Sequence, residues 1–230
     1  MRFTYYEDFL ALVFPRTCCV CKRSLFEFEN HLCKICVSQL PITSYHLRAD
    51  DNDLKVKIDG LTQAGRLFSF LRFTKRGMSQ KILHQLKYKS KPELGNFLGR
   101  MYGQLLYEYY VGQWDAVVPV PLHPVKLKRR GYNQSERFAQ GLAEMFHIPV
   151  STALRRIKVT ETQTNKSRWQ RWENVDSVFD VADGAPFSGK RILLVDDVMT
   201  TGATLAACAN TLLSSGAGSV DIAVIAAGRM

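Results

Sequence analysis

The apolar positions fall into short, dense runs separated by polar and basic stretches. Ile192-Leu193-Leu194-Val195 and Val220 to Ala227 are nearly unbroken, the pattern of parallel strands covered on both faces. Ala116-Val117-Val118 runs into Pro119 and reads as another strand, and Gly65 to Phe73 alternates well enough for a further one. Helical spacing takes over between them. Gly77 to Tyr88 sets Met78, Ile82 and Leu86 on one face; Leu94 to Val111 repeats the pattern with Phe97, Leu98, Met101, Leu105 and Leu106. Later helices carry Phe138, Leu142 and Met145, then Leu205, Leu212 and Leu213. Such alternation predicts an α/β fold with a parallel sheet. Residues 44–60, with Ala49-Asp50-Asp51-Asn52-Asp53, predict a polar connector, and Val178 to Val181 a short strand.

The chemistry gathers where the strand at Ile192–Val195 is expected to end. Asp196 and Asp197 follow it, then Val198, Met199, Thr200, Thr201, Gly202, Ala203 and Thr204, then a helix. A strand running through a tight turn into a helix points free backbone N–H groups at an anion. Gly202 permits close approach, and three threonines add hydroxyl donors. Two carboxylates repel a bare phosphate, so the ligand needs something else to offer them. Ribose hydroxyls and Mg²⁺ both suit carboxylate oxygens. The pattern predicts a sugar phosphate, its hydroxyls on the acids and its phosphate in the Thr200–Thr204 turn.

The N-terminal region has a separate chemistry. Cys18-x2-Cys21 and Cys33-x2-Cys36 have metal-ligand spacing and predict a closed, structural Zn²⁺ site. Cys19 and His31 are spare, and Cys208 reads as a small core residue. The expected organisation is a short helix and four-cysteine zinc finger over residues 1–43, a linker over 44–60 and an α/β domain over 61–230.

Charge narrows the partners. The formal net charge is +10, which favours nucleic acid or phosphorylated ligands. The cations cluster in three segments. Lys87-Tyr88-Lys89-Ser90-Lys91 interleaves an aromatic ring with lysines, which suits a single nucleic-acid strand and equally suits a helix C-terminus. Lys126 to Arg130 forms a basic turn after the Pro119 strand; alone such a run suits a solvated face, and the resemblance given below makes Arg129, Arg130 and Asn133 candidates for a diphosphate and its Mg²⁺. Arg155 to Asn174, holding Arg156, Thr162, Gln163 and Arg168, is long and polar enough for a loop that closes over a ligand. No apolar run reaches the roughly 18–20 residues that cross a bilayer, and residues 1–10 lack the features of a signal peptide. A cytoplasmic protein with no membrane insertion is expected.

Two resemblances sharpen these expectations. Ile192 to Thr204 resembles, at every position, the phosphoribosyl pyrophosphate (PRPP) motif of type I phosphoribosyltransferases. By that resemblance Asp196 to Thr204 bind PRPP with Mg²⁺, Lys126–Gln134 is the pyrophosphate loop, and Arg155–Asn174 is the flexible loop. The order of finger, Lys-rich helix, Val118-Pro119-Val120-Pro121-Leu122-His123, Arg130-Gly131-Tyr132-Asn133-Gln134 and PRPP motif is similar to that of the ComF family (ComF, ComFC and GntX-like relatives). The resemblance implies a zinc finger on a phosphoribosyltransferase-like domain, single-stranded DNA and competence-machinery proteins as partners, and a role in natural transformation. An active transferase on an unknown acceptor is the other reading it leaves open.

Overall fold

The structure is a computed structural model that describes residues 15–89, 91–157, 178–182, 184 and 187–228. In chain order its regular elements are α1 (Lys34–Ser38), α2 (Asp53–Ile58), β1 (Leu67–Phe73), α3 (Met78–Tyr88), α4 (Pro92–Tyr110), β2 (Ala116–Pro119), α5 (Pro124–Arg130), α6 (Gln134–Phe146), β3 (Leu154–Arg156), β4 (Phe179–Val181), β5 (Arg191–Met199), α7 (Ala203–Ser214) and β6 (Ser219–Gly228). The expected N-terminal helix lies outside the described residues.

The core is a four-stranded sheet in the order β1-β6-β5-β2, parallel throughout. Both faces are covered, which is why β5 and β6 read as unbroken apolar runs. On one face Leu193, Val195 and Ile225 share a core with Ile82, Leu98 and Phe138 of α3, α4 and α6. On the other, Ile192, Leu194 and Val224 pack with Leu54 and Ile58 of α2 and with Leu205 and Leu212 of α7. Helices α4 and α6 approach closely: a Cβ on Gly141 would stand 2.1 Å from the Asn96 carbonyl oxygen.

Three local expectations change. Residues 44–60 are not a loose connector. Tyr45–Leu47 forms a 3₁₀ turn and α2 buries Leu54 and Ile58, one turn apart, under the sheet. Buried Asn52 ties the segment down: its Nδ2 donates to the carbonyls of Arg48, Ala49 and Leu67, and its Oδ1 caps α2 at the Leu54 N–H. The basic stretch at Lys126–Arg130 is the exposed helix α5, ended by Gly131 at φ 78°. The long loop begins as a strand, since Leu154–Arg156 pairs antiparallel with Phe179–Val181. Its candidates Thr162, Gln163 and Arg168 lie outside the described residues.

The connections define where a ligand belongs. From β2 the chain passes through α5 and α6 and returns at Val150, which bridges Val117 on the side of β2 away from β5. From β5 it passes through α7 on the opposite face and returns as β6. Neighbouring strands whose connections leave in opposite directions open a crevice at their C-terminal ends, the general ligand position of open α/β sheets.

Candidate functional site

The carboxylates lie inside β5, not beyond it. The strand continues through Met199, with Asp196 opposite Val224 and Val198 opposite Ala226. Hydropathy marks an end where polar residues begin, but the backbone ladder does not depend on side-chain polarity. The acids are consequently held tightly. Asp197 is buried, with Lys87 Nζ 2.9 Å from its Oδ2 and 3.1 Å from its Oδ1. Asp196 Oδ1 accepts from Ser135 Oγ and from the Asp197 N–H, both at 2.8 Å. Burial, and then the charge of Asp197, push the Asp196 carboxyl up to about 7, against the pull of Ser135. Neither acid points freely into solvent. A ligand hydroxyl at Asp197 would share its carboxylate with Lys87 or displace it.

After Met199 the chain turns into α7. Gly202 sits at φ 81°, where a Cβ would meet Ile58 Cγ2 at 2.4 Å and Met199 Cε at 2.9 Å. The turn is therefore seated on α2, while Thr200, Thr201, Ala203 and Thr204 stay exposed. The first-turn amides of α7 have no acceptor within the helix and carry its positive end. Below them, burial and the nearby Asp196 charge push the Cys208 thiol up, as suits an inert core residue.

The β2 side faces this turn, with Pro119 paired to Val195. His123 Nδ1 caps α5 at the Val125 N–H, and Arg129 is exposed. Arg130 donates to Gln134 Oε1 at 2.7 Å and stands 5.5 Å from the Tyr88 ring centroid. Asn133 is engaged elsewhere, since its Nδ2 donates to the Val120 carbonyl at 2.9 Å and its Oδ1 caps α6 at the Ser135 N–H. It shapes the loop, while of the two arginines only Arg129 is exposed. Ser135, which sequence reasoning did not single out, joins this helix start to Asp196. Its only signal was its place two residues after the cap.

A model of the phosphoribosyl transferase domain family matches residues 88–230, which include both loops. The chain belongs to that family. The phosphoribosyl transferase domain thus takes in β2 through β6, while β1 and α2 complete its sheet and one wall from outside the matched region. Among relatives, the DNA utilization protein YhgH of Escherichia coli K12 is 34% identical over 149 residues, 61% of this chain and 63% of that protein. The chain therefore matches somewhat under two thirds of the length of that relative. Competence protein F of Haemophilus influenzae is 40% identical over 93 residues, covering 40% of this chain and 41% of that one. Competence protein ComFC of Bacillus subtilis is 25% identical over 214 residues, 93% of this chain and 84% of that protein. The ComF resemblance read from the motifs agrees with these homologues.

Outside the phosphoribosyl transferase domain, Cys18, Cys21, Cys33 and Cys36 converge with their sulfurs all within 4.8 Å of one another. Cys21 and Cys33 sulfurs are 3.7 Å apart, close to the roughly 3.8 Å edge of a tetrahedron with Zn–S bonds of about 2.3 Å. Burial opposes ionisation of Cys18, but the backbone N–H groups of Cys21, Cys33 and Val20 outweigh it and hold that thiol at about 6. The donor set fits zinc. The finger does not stand apart, because Cys18, Cys19, Leu32, Cys33 and Cys36 share a core with Phe70 and Leu94. Of the strand-binding candidates, Lys87 turns inward to Asp197, Tyr88 and Lys89 are exposed, and Lys91 reaches 3.7 Å from the Cys19 sulfur. Arg156 lies on β3 with its guanidinium 5.6 Å from the Phe179 ring centroid.

Proposed function

We propose that this chain is a competence protein of the ComF type, acting in the cytoplasm with other competence proteins to handle single-stranded DNA during uptake. Its phosphoribosyl transferase domain binds PRPP or another ribose 5-phosphate with Mg²⁺. The names of the relatives, DNA utilization and competence proteins, support the biological role. The observation that carries the ligand reading is one juxtaposition. Two carboxylates of β5 lie beside the N-terminus of α7, across a topological switch point from Arg129 and Arg130.

The residues divide the ligand between them. Asp196 and Asp197 accept from ribose hydroxyls or hold hydrated Mg²⁺, which supplies positive charge to the diphosphate. Amides and hydroxyls of Thr200, Thr201, Gly202 and Thr204 take the 5-phosphate. Arg129 and Arg130 receive the diphosphate. The four cysteines bind one structural zinc.

Calorimetric titration of one sample with Mg–PRPP and with a short single-stranded oligonucleotide tests the reading. Both should bind, the oligonucleotide more weakly as salt rises. Absence of any heat with Mg–PRPP would remove the ligand assignment. Diphosphate release on adding nucleobases would move the reading to an active transferase.

A further inference from the structure

Helix α3 walls two adjoining hollows. One, of about 460 Å³, lies over the ends of β1, β5 and β6 and is lined by Lys57, Phe73, Lys87, Tyr88 and Thr200 among others. The other, of about 560 Å³, lies between α3 and the finger and is lined by Cys19, Val20, Lys22, Arg76 and Lys81 among others. Gln80 and His84 line both, so the two hollows adjoin across these side chains and make one lined surface along α3. It runs from the first cysteine knuckle along α3 to the first residue of the ribose-phosphate turn.

The lining has one chemistry. Among the described residues no aspartate or glutamate lines either hollow, while Lys22, Arg76, Lys81, Lys57 and Lys87 do. Between the cations stand aromatic and amide groups. Tyr88 is 56% exposed, with the His84 ring 5.0 Å away, and Gln80 and Gln85 offer both donors and acceptors. Cations spaced along such a surface, with a tyrosine more than half exposed beside a histidine ring, suit a polyanion whose flat bases stack. An acidic peptide would use the cations and leave the rings idle. Helix α3 has 11 residues and so a length of about 16 Å, enough for a site near the roughly four-nucleotide lower end of single-strand binding folds.

We propose that this groove is the track for single-stranded nucleic acid, its backbone on Lys22, Arg76 and Lys81 and its bases against Tyr88 and His84. The proposal deepens the DNA-handling reading and rests on it. Lys87 belongs to both places, lining the groove while pairing with Asp197.

Fluorescence anisotropy with a labelled oligothymidylate tests the track, comparing two variants with equal loss of charge. Lys22→Gln/Arg76→Gln/Lys81→Gln strips the groove; Arg48→Gln/Arg100→Gln/Lys190→Gln strips other surfaces. The groove variant should bind at least tenfold more weakly, and its slope of log K against log salt should shrink by about 2, since each single-strand phosphate contact contributes about 0.7. The control should stay within about threefold of wild type, the loss of distant charge being screened. Tyr88→Leu should lower affinity severalfold with the salt slope unchanged. Mg–PRPP titrations of the groove triple and control variants should match wild type, which keeps this test separate from the ligand site. Equal binding by the groove and control variants overturns the track while leaving DNA handling intact. Failure of the wild type to bind the oligonucleotide overturns both. Equally tight competition by a polyglutamate of matched charge overturns the nucleic-acid assignment of the groove.

Discussion

Lys87 and Asp197 are separated by nearly half of the chain yet meet at 2.9 Å, joining α3 to the strand that carries the paired acids. The pair is mostly buried, with 22% of the lysine side chain and 12% of the aspartate exposed. Lys87→Met leaves a carboxylate without its cation and should cost about 1–3 kcal/mol, between exposed and fully buried pairs. Lys87→Met/Asp197→Leu should regain most of that loss. Urea denaturation of the two variants checks this; a double variant less stable than the single one would contradict a pairwise account.

Asp196 makes stability depend on pH. Its ordinary value is 3.8 and the fold raises it to about 7. Between those values the native state binds more protons than the unfolded chain, so this residue's contribution falls as pH rises from about 4 to about 7. Asp196→Asn should flatten that part of the curve and melt above wild type at pH 8. Thermal melts at pH 5 and pH 8 supply the measurement, and a variant whose pH dependence matches wild type would show that the charge is relieved otherwise.

Gly202 is fixed by both its conformation and its contact with Ile58. Gly202→Ala places a methyl in a left-handed backbone and against α2, and should cost roughly 2–4 kcal/mol. Adding Ile58→Ala removes Cγ2 and should relieve that contact, so Gly202→Ala should cost less in the Ile58→Ala background than in wild type, the backbone strain remaining. Denaturant melts in the two backgrounds measure this. An equal cost in both would place the whole of it in the backbone.

The sequence made the parallel sheet, its helices and the turn chemistry legible, because buried parallel strands are unmixed apolar runs. It did not show what depends on tertiary contact. In α2 only Leu54 and Ile58 are buried, too few to stand out among Asp53, Lys55 and Lys57, so the segment reads as polar. The length of β5 is set by hydrogen bonds to β6, which side-chain polarity at Asp196 and Asp197 conceals. The partners of those acids, Lys87 and Ser135, come from α3 and α6, and no local pattern announces them. Asn133 was legible as a polar residue near an anion site, while its actual bonds to Val120 and Ser135 became visible only in the fold.

That distinction separates two neighbours experimentally. Asn133→Ala removes a helix cap and a buried hydrogen bond, and should cost about 1–2 kcal/mol. Arg129→Ala, on exposed α5, should leave stability within about 0.5 kcal/mol and weaken Mg–PRPP binding. Paired melting and titration would contradict both assignments if the two phenotypes were exchanged.

The finger shares its core with α3 and α4, so zinc should support the whole fold. Metal analysis should find one zinc per chain, and chelation should lower the melting temperature while exposing residues 18–36 to hydrogen exchange. Unchanged protection of those amides after complete metal removal would detach zinc from folding.

Everything proposed for the ligand depends on a sugar phosphate lying at the C-terminal end of β5, its hydroxyls on the paired acids. Calorimetry of Mg–PRPP at pH 8, where Asp196 is ionised, against wild type and Asp196→Asn, both checked for native melting, tests it most directly. Wild type should bind measurably, and Asp196→Asn at least tenfold more weakly, from loss of charge-assisted bonds. Equal affinity in the two proteins would contradict it.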